Sequence, residues 1–149
     1  MVTWQLTVDA NDPARLVRFW APLLGYEVQP PPDGFDSWVD WYRSKGVPEE
    51  ELAGAPEDLV DRIHDPAGRG PNIWFQIVPE LKSQKNRFHF DVYATNRDPD
   101  LTLDQRREIV EAKVTEVMAA GATLGHRTVG ADSYFALMHD PEGNEFCIA

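Results

Sequence analysis

A five-residue motif occurs twice in this chain, as HDPAG at 64–68 and as HDPEG at 139–143. Asp-Pro-x-Gly is typical of a tight turn, because Pro fixes φ, Asp bonds the backbone ahead of it and Gly accepts a positive φ. Strand-like runs precede each copy (Leu59–Ile63 and Tyr134–Met138), and apolar strands follow each copy (Ile73–Val78 and Phe146–Ile148). Two such hairpins indicate an internal repeat.

The same elements are predicted ahead of each hairpin. In the first half, Thr3–Asp9 alternates like a half-buried strand, and Asp12 with Pro13 is typical of a helix start. Gly25 is predicted to end that helix, and Tyr26–Gln29 follows as a short strand.

The second half follows the same order. Phe88–Tyr93 alternates, with Phe88, Phe90 and Val92 on one side and His89 and Asp91 on the other. Thr102 and Gln105 have the spacing of a capping box, and the predicted helix runs to about Ala120, with Gly121 at its end. Thr123–Val129 is the next predicted strand.

The pattern predicts an α+β fold made of two tandem βαβββ modules. We expect a single domain over residues 1–149, with one module at about 1–80 and the other at about 85–149. A helix at Asp36–Lys45 is predicted as an insert in the first module only. Val47–Asp58, which is acidic and rich in turn residues, is predicted to be a solvated loop.

Charge and composition exclude several classes of partner. The net charge of −11 argues against binding to nucleic acid or to an anionic membrane, since both require a basic surface. No apolar run approaches the roughly 20 residues of a membrane span. One cysteine excludes an internal disulfide, and the N-terminal stretch has no basic region of a secretory signal. We therefore expect a cytoplasmic protein.

Four stretches together resemble one family. They are FWAPLLGYEV at 19–28, FQIVPE at 75–80, KNRFHFDV at 85–92 and HDPEGNEFC at 139–147. With the repeated hairpin, they resemble the vicinal oxygen chelate superfamily, which includes glyoxalase I, and in particular bacterial glyoxalase-like domain proteins of mostly unassigned function. The resemblance implies that the two modules pack side by side and curl their sheets around one cavity.

In metal-dependent members of that superfamily, four side chains of the cavity hold a divalent ion. The matching positions here are Gln5, Gln76, His89 and Cys147, with Glu145 two residues before Cys147 on the same strand face. A Gln carbonyl is a neutral and weak donor to a transition metal, so we expect no functional metal and no other cofactor. If a metal does bind, the resemblance implies Gln5, Gln76 and His89 with Glu145 or Cys147.

The polar strand faces supply the candidate chemistry. His89 is the predicted proton-transfer residue, because its ordinary pKa is close to neutral, and Glu145 is the second catalytic candidate. The predicted ligand-binding residues are Gln5, Trp74, Gln76, Arg87, Asp91 and Cys147. Within this set, Asp91 is placed to orient His89, and Arg87 to meet a carboxylate or phosphate.

Three functions remain open from the sequence. One is a metal-independent lyase or isomerase that acts on a small polar or aromatic molecule through His89. Another is a protein that only sequesters its ligand, in a cavity lined by Trp38, Trp41 and Trp74. The third is a metal-dependent lyase like glyoxalase I, or a dioxygenase. The resemblance also implies a homodimer.

Overall fold

The computed structural model describes residues 3–52, 55–56 and 58–149. The chain divides into two compact units, one ending at Val78 and the other beginning at Pro79. The single domain predicted from the sequence, with modules at about 1–80 and 85–149, stays a prediction.

The first unit carries one βαβββ module with an insertion. Its elements are β1 (Gln5–Ala10), α1 (Pro13–Leu24), β2 (Glu27–Val28), α2 (Trp38–Ser44), α3 (Glu49–Leu52), β3 (Arg62–His64) and β4 (Asn72–Ile77). The strands form a four-stranded sheet in the order β1-β4-β3-β2. β1 runs parallel to β4, and the other pairs are antiparallel.

The second unit repeats this topology without the insertion. Its elements are β5 (Asp91–Val92), α4 (Leu103–Ala119), β6 (Thr123–Val129), β7 (Tyr134–His139) and β8 (Glu145–Ile148). The sheet order is β5-β8-β7-β6, with β5 parallel to β8 and the other pairs antiparallel. The predicted α+β fold of two tandem βαβββ modules is thereby confirmed.

The helices α1 and α4 each pack on one face of the sheet of their own unit. In the first unit the buried core contains Leu16, Val17, Phe19, Trp20, Ile63, Ile73 and Phe75. In the second unit it contains Val110, Val114, Val117, Ala136, Met138, Phe146 and Ile148. These sets follow a helical period on α1 and α4 and alternate along β4, β7 and β8, so the opposite face of each sheet is left for polar residues.

The two Asp-Pro-x-Gly turns form as predicted. Asp65 Oδ1 accepts a hydrogen bond from the Ala67 amide at 2.8 Å, and Asp140 Oδ1 accepts one from the Glu142 amide at 2.9 Å. Gly68 and Gly143 have φ of 65° and 87°. The helix caps are confirmed too: Asp12 accepts from the Arg15 amide, and Thr102 and Gln105 form a reciprocal capping box.

Three details differ from the predictions. The strand predicted at Phe88–Tyr93 is reduced to Asp91–Val92, because only these residues have register partners on β8. Phe88 lies ahead of this pairing and is 90% exposed, so it does not belong to an apolar inner face.

The Val47–Asp58 loop contains α3, whose first turn holds three glutamates that favour a helix N-terminus. Three residues of that predicted loop lie outside the described residues. The predicted helix-ending residue Gly121, with φ of 110°, follows the C-cap residue Ala120.

Among the described residues, no helix is both long and apolar enough to cross a membrane.

Candidate functional site

Three of the predicted site residues meet in the second unit. Asp91 on β5 pairs in register with Cys147 on β8, so their side chains lie on the same face of the sheet. His89 precedes β5 by two residues, and its Nε2 lies 3.4 Å from Asp91 Oδ1. One ligand atom from each of His89, Asp91 and Cys147 lies within 4.8 Å of the other two. We call these three residues the His89 cluster.

The Cys147 thiol is held in its protonated form within this cluster. Partial burial raises its pKa, and so does the neighbouring charge of Asp91, whose carboxylate accepts a hydrogen bond from the thiol; Lys85 acts in the opposite direction. A thiol with a raised pKa is a poor nucleophile. Cys147 is therefore suited to contact a ligand rather than to attack a substrate.

Glu145, the second predicted catalytic residue, anchors a neighbouring segment of the chain. Its Oε2 accepts a hydrogen bond from the Asn86 amide at 2.9 Å and lies 3.3 Å from Lys82 Nζ. Partial burial tends to raise the pKa of Glu145, but the Asn86 hydrogen bond and Lys82 outweigh it, so the pKa lies below its usual value. The carboxylate is held ionised, which suits an anchor more than a general acid.

The basic stretch that leads into the His89 cluster has divided roles. Lys82 is engaged by Glu145, whereas Arg87 is exposed to solvent. Lys85 acts electrostatically on Cys147. The structure thus places two cations, Lys85 and Arg87, in the chain segment that precedes the cluster.

The remaining predicted residues lie on the sheet of the first unit. In the β1–β4 pairing, Gln5 is opposite Asn72, Thr7 is opposite Trp74 and Asp9 is opposite Gln76. All six share one face, as the alternation predicted. Gln5 and Gln76, however, are four residues apart in register, which corresponds to about 13 Å along the strands. Within this sheet the neighbour of Gln76 is therefore Asp9, a residue that the sequence did not single out.

A pocket with a volume of about 910 Å³ lies within the first unit. Trp74 and Gln76 line it, whereas Gln5 does not. The other walls come from α1 and from the insertion between β2 and β3. Pockets of about 300–1,000 Å³ commonly hold small organic molecules.

A buried ion pair, missed in the sequence, lies at the wall of this pocket, where Asp61 is one of the lining residues. Arg62 Nε donates to Asp61 Oδ1 at 2.9 Å, and the Trp74 indole donates to Asp61 Oδ2 at 2.9 Å. The Arg62 guanidinium also donates to the Tyr42 hydroxyl and lies 3.8 Å from the centre of the Trp38 ring. Asp61 directly precedes β3, and only the fold brings it close to α2 and β4.

The aromatic residues of α2 have different environments. Trp38 is buried, donates to the Gln29 carbonyl and packs edge-on against Trp41 with ring centres 5.5 Å apart. Tyr42 lines the pocket, but Trp38 and Trp41 do not. Of the three tryptophans predicted to line a ligand cavity, Trp74 lies in the wall of this pocket and the other two do not. Trp38 is a core residue.

Two tandem βαβββ units, each with a mixed sheet and a polar strand face, define a member of the vicinal oxygen chelate superfamily. The chain belongs to the glyoxalase-like domain family, whose model matches residues 5–149. Among proteins of curated function, none matches the sequence significantly.

Several solved structures share this fold. A hypothetical protein from S. aureus, SA1046, has a TM-score of 0.58 at 14% identity, over 99% of this chain and 93% of that one. A glyoxalase/bleomycin resistance protein/dioxygenase family enzyme from Burkholderia phytofirmans has a TM-score of 0.54 at 19% identity, over 97% and 94%.

A third similar structure contains a metal. The fosfomycin resistance protein FosX from Listeria monocytogenes, complexed with Mn(II) and a dihydroxypropylphosphonic acid, has a TM-score of 0.55 at 11% identity, over 99% of this chain and 90% of that one. At such identities the similarity establishes the fold and not the function.

Proposed function

We propose that this chain binds a small polar or aromatic molecule and transfers a proton to or from it through His89. The observation that carries the proposal is the 3.4 Å approach of Asp91 Oδ1 to His89 Nε2. A carboxylate at this distance orients the ring and stabilises the imidazolium that forms when the other ring nitrogen, Nδ1, takes up a proton. This reaction class is that of a metal-independent lyase or isomerase.

The binding part of the proposal rests on the first unit. Trp74 and Gln76 line a pocket of small-molecule size. Trp74 supplies an aromatic surface, and the Gln76 side-chain amide can both donate and accept hydrogen bonds.

The experiment follows proton transfer directly and does not require a known product. Small molecules that copurify with the protein are identified by mass spectrometry and then incubated with it in D₂O. We expect deuterium to enter a carbon-bound position of the molecule, and His89→Gln to slow this exchange by about 10²–10⁴-fold. His126→Gln, which changes an exposed histidine of β6, is the matched control. Exchange at an unchanged rate in His89→Gln would refute the role of His89.

A second candidate is a metal-dependent reaction, and the composition of the His89 cluster favours it. An imidazole, a carboxylate and a thiol suit zinc and related divalent ions, whose tetrahedral ligand atoms lie roughly 3.5 Å apart. The three atoms here are within 4.8 Å of each other, so His89, Asp91 and Cys147 fit such an ion after small side-chain rotations. Bound there, the ion would polarise a substrate oxygen. This set replaces the predicted glutamines with Asp91.

Cobalt(II) binding separates the two candidates. A bound cobalt ion with a thiolate ligand gives an intense near-ultraviolet charge-transfer band, which should be absent in Cys147→Ser. Asp91→Asn should weaken binding by about 10–100-fold whether Asp91 is a ligand or an orienting partner of His89. Elemental analysis of the purified protein completes the test. If the purified protein contains less than about a tenth of an equivalent of divalent metal and gives no cobalt band, the metal-dependent candidate is refuted and the metal-independent reaction remains.

Sequestration without chemistry is the remaining alternative, and the D₂O experiment also tests it. A ligand that is recovered unlabelled and intact after long incubation would favour a binding protein.

We also propose that the protein is a homodimer and acts in the cytoplasm. Light scattering should then give a mass of twice the 16.9 kDa of one chain.

A further inference from the structure

The pocket of the first unit is formed by a feature that the second unit lacks. Residues of α2, of α3 and of the segment leading into β3 form one side of the pocket, and α1 forms another. In the second unit only residues 130–133 separate β6 from β7, so there is no corresponding insertion. The insertion therefore gives the first module a binding surface of its own.

The walls of this pocket are mainly apolar. Side chains from every part of it are hydrophobic, including Val17, Ala21, Val28, Leu52, Leu59 and Phe75. Burial of an apolar body against such walls contributes roughly 25 cal/mol per Å² of surface removed from water. The occupant must therefore carry a hydrophobic body of substantial area.

Two aromatic residues of the wall are held by the buried ion pair. Arg62 and Asp61 have side chains only 12% and 6% exposed, so each charge depends on its protein partners. The pair bonds the Tyr42 hydroxyl and the Trp74 indole, and both residues line the pocket. Aromatic walls fixed in this way suit a flat, ring-bearing molecule, because little ordering of side chains is needed on binding.

The polar groups of the wall determine which ring-bearing molecules enter. The side-chain amide of Gln76 makes no hydrogen bond within the described part of the chain. Among the described lining residues there are four carboxylates (Asp12, Glu51, Asp58 and Asp61) and one guanidinium, Arg18. Asp61 is paired with Arg62, and Asp12 caps α1, which leaves Glu51 and Asp58 against Arg18. An anionic ligand is repelled by this arrangement, whereas a neutral or cationic one is not.

We propose that the insertion-built pocket binds ring-bearing small molecules whose polar end is uncharged or positively charged, and that it rejects carboxylates and phosphates. The proposal rests on the small-molecule binding proposed above and names the ligand class. It also opposes the expectation, drawn from Arg87, that the ligand is an anion.

Three probes of nearly equal shape test the class of ligand. They are naphthylmethylamine, naphthalenemethanol and naphthoate, titrated into the full-length protein by calorimetry at low and high salt. We expect the amine and the alcohol to bind, and the carboxylate to bind at least tenfold more weakly. Added salt should reduce the difference between amine and carboxylate.

Two variants test the location of the site and the cause of its selectivity. Ala14→Phe narrows the pocket from α1 and should weaken all binding by at least tenfold, whereas Ala112→Phe on the exposed side of α4 should not. The double variant Glu51→Gln/Asp58→Asn should strengthen naphthoate binding about threefold to tenfold, as expected for two exposed carboxylates. Glu108→Gln/Asp132→Asn makes the same change in net charge outside the pocket and is its control.

These titrations test the proposed pocket independently of the chemistry proposed for His89. Naphthoate binding as tight as that of the amine, binding of none of the probes, or binding unaffected by Ala14→Phe would each overturn it. Deuterium exchange that depends on His89 could still be found in any of these cases. Conversely, selective probe binding without exchange would support the pocket and refute the proposed reaction.

Discussion

The guanidinium carbon of Arg62 lies 3.8 Å from the centre of the Trp38 ring, within stacking distance of an aromatic face. The two residues come from different elements, β3 and the inserted helix α2. The same guanidinium lies 5.2 Å from the Trp74 ring centre and bonds Asp61. One cation thus joins the insertion to the sheet on which it packs.

Replacing Arg62 with Lys should destabilise the protein by about 1–3 kcal/mol, because one ammonium cannot stack on Trp38 while bonding Asp61 and Tyr42. Chemical denaturation followed by tryptophan fluorescence measures this change. Arg43→Lys is the matched control, since Arg43 forms exposed ion pairs with Asp40 and Glu49 and should cost less than about 1 kcal/mol. Equal effects of the two substitutions would contradict this assignment.

Glu111 should make the protein sensitive to acid. Hydrogen bonds from Arg127 and from the Tyr134 hydroxyl lower its pKa from 4.5 to about 2 in the folded state. The unfolded chain therefore takes up the proton first, and the stability contributed by Glu111 is full above the unfolded value and declines as the pH falls from 4.5 towards 2.

The test of this pH dependence compares urea midpoints at neutral pH and at about pH 3. Glu111→Gln should be destabilised at neutral pH and should lose less of its remaining stability on acidification than the unmodified protein. Glu108→Gln, on the same helix, should behave like the unmodified protein. A Glu111→Gln variant with unaltered acid sensitivity would show that other carboxylates dominate.

Glycine at the two repeated turns should be required for its backbone conformation. Gly68 and Gly143 have positive φ, and a Cβ at Gly68 would have no atom within 4 Å of it. Ala at either position should therefore cost about 1 kcal/mol through the backbone alone. The two costs should add in the double variant, because the turns lie in different hairpins. Denaturation midpoints of the single and double variants measure both claims, and a strongly non-additive double variant would refute the second.

Glu145 should act as an anchor for the segment that contains Asn86. Glu145→Gln replaces the charged acceptor of the Asn86 amide and removes the ion pair with Lys82. We expect hydrogen exchange in peptides covering residues 82–88 to become about tenfold faster. Glu116→Gln on α4 is the control and should leave these peptides unchanged. If exchange is unaltered but proton transfer is lost, Glu145 has the catalytic role predicted from the sequence.

Much of the fold could be read from local chemistry. Asp-Pro-x-Gly favours a turn through the residues of the motif alone, and its repetition indicated the two modules. The Asp12 and Thr102 caps and the apolar periods of α1 and α4 were equally readable, because each depends on residues within one or two helical turns. The strand Thr123–Val129 was predicted with its correct limits.

Predictions became less accurate where one element depends on another. The alternation of Phe88–Tyr93 is a valid strand pattern, yet only Asp91 and Val92 find partners on β8. The helix α3 went unpredicted, since four residues surrounded by turn formers give too short a period to detect.

The sequence by itself determined the repeated module and the polar strand faces that carry Gln5 and Gln76, because these follow from period and turn chemistry, and four stretches indicated the family by resemblance. Only the tertiary structure decided which polar residues meet. Strand register sets Asp91 against Cys147 and Asp9, rather than Gln5, beside Gln76. The insertion brings Tyr42 and Trp38 to the Asp61–Arg62 pair. Such contacts join residues far apart in the chain, and they depend on how elements pair and pack, which no local pattern encodes.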